Sequence, residues 1–98
     1  MKTYYVYILK CFDNSFYTGV TNNLEERLFQ HNTGADPRAY TYNKRPLELV
    51  YSNEFSEISD AIAFEKQIKG WRREKKLALI EGHTDLLSKL SANYSENK

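Results

Sequence analysis

Cysteine is nearly missing from this chain. The single Cys11 excludes an internal disulfide and any multi-cysteine zinc site. It ends a hydrophobic run and reads as a buried thiol, not a nucleophile. The two histidines, His31 and His83, do not by themselves make a zinc site either. No run reaches the roughly 18 apolar residues that a membrane-spanning helix needs. The apolar start, Tyr4 to Leu9, is short, lacks a small-residue cleavage site and is followed by Lys10. No signal peptide is expected from it, and the expected compartment is the cytoplasm. A charge of one sign is lacking as well. The net value is +1, which argues neither for nor against a nucleic-acid partner.

The chain does have the balance of a soluble globular domain, with 41% apolar and 28% charged residues. Its 98 residues make one domain with a modest core. We expect that domain over residues 1–90 and a frayed tail over 91–98. The charge is unevenly spread. Lys66 to Lys76 carries six basic residues against the lone acid Glu74. Arg38, Lys44 and Arg45 form a smaller basic group, so one face can be positive on a nearly neutral molecule. A solvated charged helix explains the same run equally well.

Tyr4 to Cys11 is rich in tyrosine, valine and isoleucine, which predicts a strand. Val6 and Ile8 share one face; Tyr5, Tyr7 and Leu9 share the other. Both faces are largely apolar, as in a central strand. Asp13, Asn14 and Ser15 are turn residues, and Phe16 to Val20 returns as the second strand of a hairpin. Gly19 permits a close backbone approach there. A helix follows, with Thr21, Asn22 and Asn23 as cap candidates; with Asn22 at the N-cap, Glu25 falls three residues on, as in a capping box. Arg27 and His31 then point the same way, one turn apart. Gly34 stops that helix. Asn32 to Arg45 is a long polar loop, a length at which loops are often functional. Leu47 to Tyr51 reads as a third strand. In the next helix Ile58, Ala61, Ile62, Glu65 and Ile68 form a stripe, with Glu65 the acid among apolar residues. Gly70 ends it, and Trp71 plugs the junction. Arg72 to Ile80 forms another helix with Leu77 and Ile80 inward. A short last helix is expected over Asp85 to Leu90.

Phosphodiester cleavage needs a base for water, positive charge for the transition state and stabilisation of the leaving oxygen, commonly by a divalent metal. Tyr7, Tyr17, Arg27, His31 and Glu65 can supply these. Each also has a plainer explanation. Strand tyrosines usually pack with a wet hydroxyl. His31 can serve the helix end, and Glu65 can pair with Lys69 one turn on. The residues alone support a small α/β domain with possible nucleic-acid contact.

Tyr5-Val6-Tyr7, Tyr17-Thr18-Gly19, Arg27, His31 and Glu65, in that order, resemble the GIY-YIG nuclease superfamily. The likeness is strongest to small bacterial members related to the N-terminal nuclease domain of the UvrC excision-repair protein. It covers about residues 3 to 82. It implies an α+β fold, a small three-stranded antiparallel sheet flanked by helices. It also implies metal-dependent hydrolysis of DNA, with repair a plausible setting and RNA not excluded. Tyr7 would be the general base and His31 its proton acceptor. Tyr17 would orient water or phosphate, and Arg27 would stabilise the phosphorus centre. Glu65 would hold one Mg²⁺ or Mn²⁺. The chain departs from the motif at Tyr5, Val6 and Thr18, which spares Tyr7, Tyr17 and Gly19. An asparagine that binds phosphate in several relatives has only His83 as a substitute here. Arg38, Lys44, Arg45, Lys69, Arg72, Arg73, Lys75 and Lys76 are the expected backbone contacts. Similar nucleases usually add a separate DNA-binding domain or dimerise; for this chain a monomer or weak dimer is expected, with room for a further protein partner. Two other functions compete: a catalytically weak nucleic-acid-binding module of the same fold, and a protein-interaction domain using Tyr40 and Tyr42.

Overall fold

The computed structural model describes residues 2–82. His83, the expected helix over residues 85–90 and the expected tail lie outside them. Strand β1 (Tyr4–Lys10) is central in a sheet of order β2-β1-β3, with β2 at Phe16–Thr21 and β3 at Glu48–Phe55. Both pairings are antiparallel, and the β1–β3 register slips between Ile8 and Leu9. Helix α1 (Leu24–Thr33) follows the hairpin, while α2 (Ile58–Lys69) and α3 (Arg73–Glu81) follow β3. The sheet flanked by helices matches the architecture expected from the resemblance.

The hairpin forms where the turn residues place it. The Cys11 amide donates to the Ser15 carbonyl at 2.8 Å. Asp13 accepts from both the amide and the hydroxyl of Ser15, and Asn14 takes the left-handed backbone (φ 69°) that asparagine tolerates. β3 runs four residues beyond the predicted end at Tyr51 and begins one residue later, at Glu48 rather than Leu47. Its polar stretch Ser52 to Glu54 pairs with β1 through backbone groups, which carry no hydropathy signal.

The alternation of β1 divides the interior. Val6 and Ile8 are fully buried against Ala61 and Ile68, with Phe64, Trp71, Leu79 and Ile80 around them. Tyr7, Leu9 and Cys11 pack on the other side with Leu47, Tyr17, Leu24 and Leu28. So α1 covers one face of the sheet, and α2 with α3 covers the other. Burying a side chain such as Ile8 contributes about 1.5–3 kcal/mol, so both faces stabilise the central strand.

Three local expectations shift. Of the three cap candidates the N-cap of α1 is Asn23, one residue beyond the position that would set Glu25 in a capping box. The Asn23 side chain accepts from the Glu26 amide at 3.0 Å and donates to the Glu26 carboxylate, while its own backbone amide donates to Thr21 Oγ1, so the cap closes without the reciprocal backbone bond of a capping box. In α2 the buried residues are Ala61 and Ile68, while Ile58 and Ile62 are exposed. The buried stripe is therefore rotated toward Phe64. In α3 it is Lys75 and Ala78 that are buried, with Leu79 and Ile80 packed on the core. Leu77 is not part of that cluster. Trp71 does pack against the core at the helix junction.

Candidate active site

Tyr7 and Gly19 are directly opposed in the hairpin. That pairing decides where the Tyr7 ring lies. A Cβ on Gly19 would stand 2.5 Å from the Tyr7 hydroxyl oxygen and 2.6 Å from its Cζ. The absence of a side chain at Gly19 thus leaves the space that the Tyr7 ring occupies over β2. The hydroxyl emerges beneath α1, where Tyr7 Oη and His31 Nε2 are 3.1 Å apart. Tyr7 is fully buried and His31 nearly so.

The other imidazole nitrogen, Nδ1, lies 2.8 Å from Thr41 Oγ1. Thr41 is also buried. Tyr17 joins this group, its ring meeting His31 edge-on at 5.2 Å between centroids. Tyr40 then stacks on Tyr17 at 6.1 Å and 19°. Above them opens a cleft of about 260 Å³, lined among others by Tyr17, Arg27, His31, Asp36, Thr41 and Tyr42. Capping at Asn23 fixes the phase of α1, so Arg27 and His31 face this cleft one turn apart.

The electrostatics are asymmetric. Burial is the largest influence on Tyr7 and raises its pKa well above the ordinary 10.0; Tyr17 and Glu65 push the same way. The charge and hydrogen bonding of Arg27 oppose this and are outweighed. Burial, helped by Arg27, lowers the pKa of His31 below 6.5. At neutral pH the phenol therefore keeps its proton, while the imidazole is neutral and able to take one.

Glu65 approaches from α2 on the other side of the sheet. It is not among the residues lining the cleft, yet its charge reaches Tyr7. Its side chain is 12% exposed, and its Oε2 lies 2.6 Å from Lys69 Nζ. Among the described residues no three His, Cys, Asp or Glu side chains come together. A protein-caged ion is therefore not built. One carboxylate fits an ion of the magnesium kind, which keeps most of its water and takes one or two protein oxygens.

Most of the basic residues expected to touch a nucleic-acid backbone have partners inside the molecule. Arg38 is exposed beside Asp36. Lys44 bonds Asp13 at 2.7 Å and lies over the Tyr40 ring. Arg45 packs on Tyr42 and donates to its carbonyl. Lys69 holds Glu65. Arg72 approaches Glu74 at 3.8 Å, and Arg73 donates to the Asn14 carbonyl at 2.6 Å while covering Phe16. Lys76 is half-buried, which lowers its pKa. Lys75 requires a correction. It is 3% exposed, with its ammonium 4.2 Å from the centre of the Trp71 ring. A side chain packed this way braces the helix junction and is not offered to a phosphate.

Sequence reasoning missed Thr41, a threonine inside a polar loop with no pattern to single it out. It also missed Asn32, whose side chain bonds both the amide and the carbonyl of Leu47 and ties the loop's far end to α1. Paired donor and acceptor chemistry on an asparagine at a helix end was the available hint.

A family model described as the GIY-YIG catalytic domain matches residues 3–78. A UPF0213 protein of Staphylococcus haemolyticus is 48% identical over 81 residues, which cover 83% of this chain and 98% of that one. A UPF0213 protein of Oceanobacillus iheyensis is 49% identical over 80 residues, covering 82% and 92%. Among solved structures, the UPF0213 protein of Bacillus halodurans is similar with a TM-score of 0.54 and 35% identity, covering 81% of this chain and 83% of that one. A protein from E. faecalis is similar with a TM-score of 0.60 and 32% identity, covering 86% and 88%. With the tyrosine pair, glycine, arginine, histidine and glutamate all in motif order, the chain belongs to the GIY-YIG catalytic-domain family, alongside its UPF0213 members.

Proposed function

We propose that this protein is a metal-dependent endonuclease that hydrolyses a phosphodiester bond in DNA. The observation that carries the reading is the Tyr7–His31 hydrogen bond, 3.1 Å long, which ties the buried Tyr7, itself not part of the cleft lining, to His31 in a cleft lined also by Tyr17 and Arg27. A buried phenol is a poor base on its own, because its proton is held tightly. A neutral imidazole in hydrogen-bonding contact removes that obstacle. As water attacks phosphorus, its proton passes to Tyr7 and the phenolic proton passes to His31 Nε2. Tyr17 orients the water or a phosphate oxygen from the rim. The Arg27 guanidinium faces the charge that develops on the nonbridging oxygens. Glu65 would hold one Mg²⁺ or Mn²⁺, which supplies Lewis-acid stabilisation of the leaving oxygen. Most of the basic residues expected at the nucleic-acid backbone are already held by acidic or carbonyl partners within the molecule. Contacts with DNA are therefore weak and largely independent of sequence, which suits selection by strand structure, as at a repair intermediate.

A second reading is favoured by one observation, the Lys69 ammonium already seated on Glu65 at 2.6 Å. If that pair persists, the metal is excluded and the domain is a catalytically weak binding module. The deciding experiment incubates the purified protein with labelled branched, nicked and single-stranded DNA, with Mg²⁺ or Mn²⁺. Tyr7→Phe, Arg27→Ala and Glu65→Gln are run beside it. Cleavage by the wild type and loss in all three variants supports the nuclease. Binding by every form with cutting by none supports the module.

A further inference from the structure

We infer that Thr41 is a positioning residue for the proton transfer, completing a Thr41–His31–Tyr7 relay; this deepens the nuclease reading above and rests on it. The inference starts from hydrogen-bond bookkeeping in a buried place. Both ring nitrogens of His31 are engaged, Nδ1 with Thr41 Oγ1 at 2.8 Å and Nε2 with Tyr7 Oη at 3.1 Å. A neutral imidazole carries one N–H, so one nitrogen donates and the other accepts.

The surroundings choose between the two tautomers. Tyr7 is fully buried, and its charged neighbour Arg27 has donors only. Nε2 is therefore the acceptor that the phenolic hydrogen finds. A phenol is also a stronger acid than an alkyl alcohol, so of the two hydroxyls on the ring it is the better donor. Nε2 then accepts from Tyr7, and Nδ1–H donates to Thr41 Oγ1. This is the tautomer that can receive the phenolic proton. On transfer, the O–H bond of Tyr7 breaks and an Nε2–H bond forms. The resulting imidazolium donates from both nitrogens, and Thr41 Oγ1 still accepts from Nδ1. Water's proton restores Tyr7, so the balance closes with one proton on His31.

The loop is built to hold the hydroxyl there. Thr41 is 1% exposed, and its carbonyl accepts from the Lys44 amide at the start of the short helix Tyr42–Lys44. Asn32 fixes the end of the same loop at Leu47. A threonine also differs from a carboxylate in this position. It orients the ring without adding a negative charge, which leaves the imidazole neutral before the reaction begins.

The test uses Thr41→Val, which keeps the shape and removes the hydroxyl, and Thr41→Ser, which restores it. Side-chain nitrogen NMR reads the His31 tautomer directly at neutral pH, and backbone amide spectra check the fold. Wild type and Thr41→Ser are expected to show Nδ1–H. In Thr41→Val the Nδ1–H fraction is expected to fall but not vanish, because a buried N–H without an acceptor is costly while Tyr7 still donates to Nε2. Single-turnover cleavage should fall about ten- to a hundredfold in Thr41→Val, as on loss of an outer partner of a functional histidine, and recover in Thr41→Ser. A wild-type Nδ1–H fraction in Thr41→Val overturns the positioning role even where the wild type cuts DNA. Failure of Thr41→Ser to recover overturns it too. No cleavage by wild type on any substrate overturns instead the nuclease reading, and with it the relay's catalytic use, whatever the spectra show.

Discussion

Replacing Gly19 by alanine tests the site's construction with a single methyl group. In most strands the change is welcome, since glycine costs about 0.5–1 kcal/mol relative to alanine. Gly19 does not have the positive φ of Gly34 and Gly82, so the backbone raises no objection. The objection is the Tyr7 ring. The new Cβ would lie 2.5 Å from Oη and 2.6 Å from Cζ, with Tyr17 Cε2 at 3.1 Å. Comfortable separation is about 3.5 Å, so Tyr7 must move by about 1 Å. It cannot do so freely, being fully buried and bonded to His31. Overpacking of this kind costs about 1–3 kcal/mol, which lowers the melting temperature by about 4–8 °C per kcal/mol in a domain this small. A reacting group misplaced by about 1 Å loses roughly a hundredfold in rate. Thermal unfolding and single-turnover cleavage of Gly19→Ala measure both effects. A variant as stable as wild type or more so, cutting at the wild-type rate, would refute the account of why glycine stands opposite Tyr7.

Other predictions follow from single contacts. Thr18 Oγ1 is buried with no hydrogen-bond partner among the described residues, so Thr18→Val should stabilise the protein by about 1 kcal/mol; unchanged or lower denaturant midpoints would contradict this. Lys69→Ala should free Glu65 and tighten Mn²⁺ binding by up to about fivefold, the scale of an ion pair whose lysine is about half exposed; weaker binding by calorimetry would show that Lys69 does not compete with the ion. Because the native pKa of His31 is lowered, the unfolded chain binds the proton more readily below 6.5. Stability should therefore fall as pH drops through 6.5 toward the depressed native value, and His31→Gln should flatten that slope in thermal scans. Lys75→Met should leave the salt dependence of DNA binding unchanged, whereas Arg72→Met should reduce its log–log slope by about one unit per lost phosphate contact.

What the sequence revealed, and what it hid, divides along physical lines. Period-two alternation in Tyr4–Lys10 announced the central strand and both of its buried faces, because side-chain direction in a strand follows from position alone. Tyr7 and Gly19 were both visible, but their opposition depends on the register of the hairpin. That register is set by the five-residue connection from Cys11 to Ser15, and its chemistry was legible only as a turn. The helices were less secure. Glu65 stood out as an acid on an apolar stripe, yet the stripe itself is rotated, because Ile58 and Ile62 face solvent where Phe64 packs. Lys75 looked like one more cation in a basic run. Only the fold reveals that its stem and ammonium lie against Trp71, where a long side chain covers apolar surface. Thr41 was illegible altogether, since a hydroxyl acquires its meaning from what it meets.

These failures have a common origin, and it bears on how the site works. The residues read correctly are those held by one element: a strand's alternation, a helix's four-residue step, a glycine after a helix. The residues misread are those whose role needs two elements to meet. The candidate active site is of the second kind throughout. Tyr7 crosses from β1 over β2, His31 descends from α1, Thr41 comes in from the loop, and the charge of Glu65 arrives from the far side of the sheet. Each of the three hydrogen-bonding groups is largely buried, and Tyr7, fully buried and away from the cleft lining, has no water to turn to if His31 is displaced. The cost of an unpaired buried polar group is about 1–3 kcal/mol, a sizeable share of the about 5–15 kcal/mol that holds a domain together. The Thr41–His31–Tyr7 hydrogen bonds therefore steady the packing of α1 and its loop on the hairpin, apart from the part proposed for them in the reaction. Loss of Thr41's hydroxyl should loosen the loop that Asn32 still ties down, while loss of Asn32 should leave the relay formed but less rigidly held.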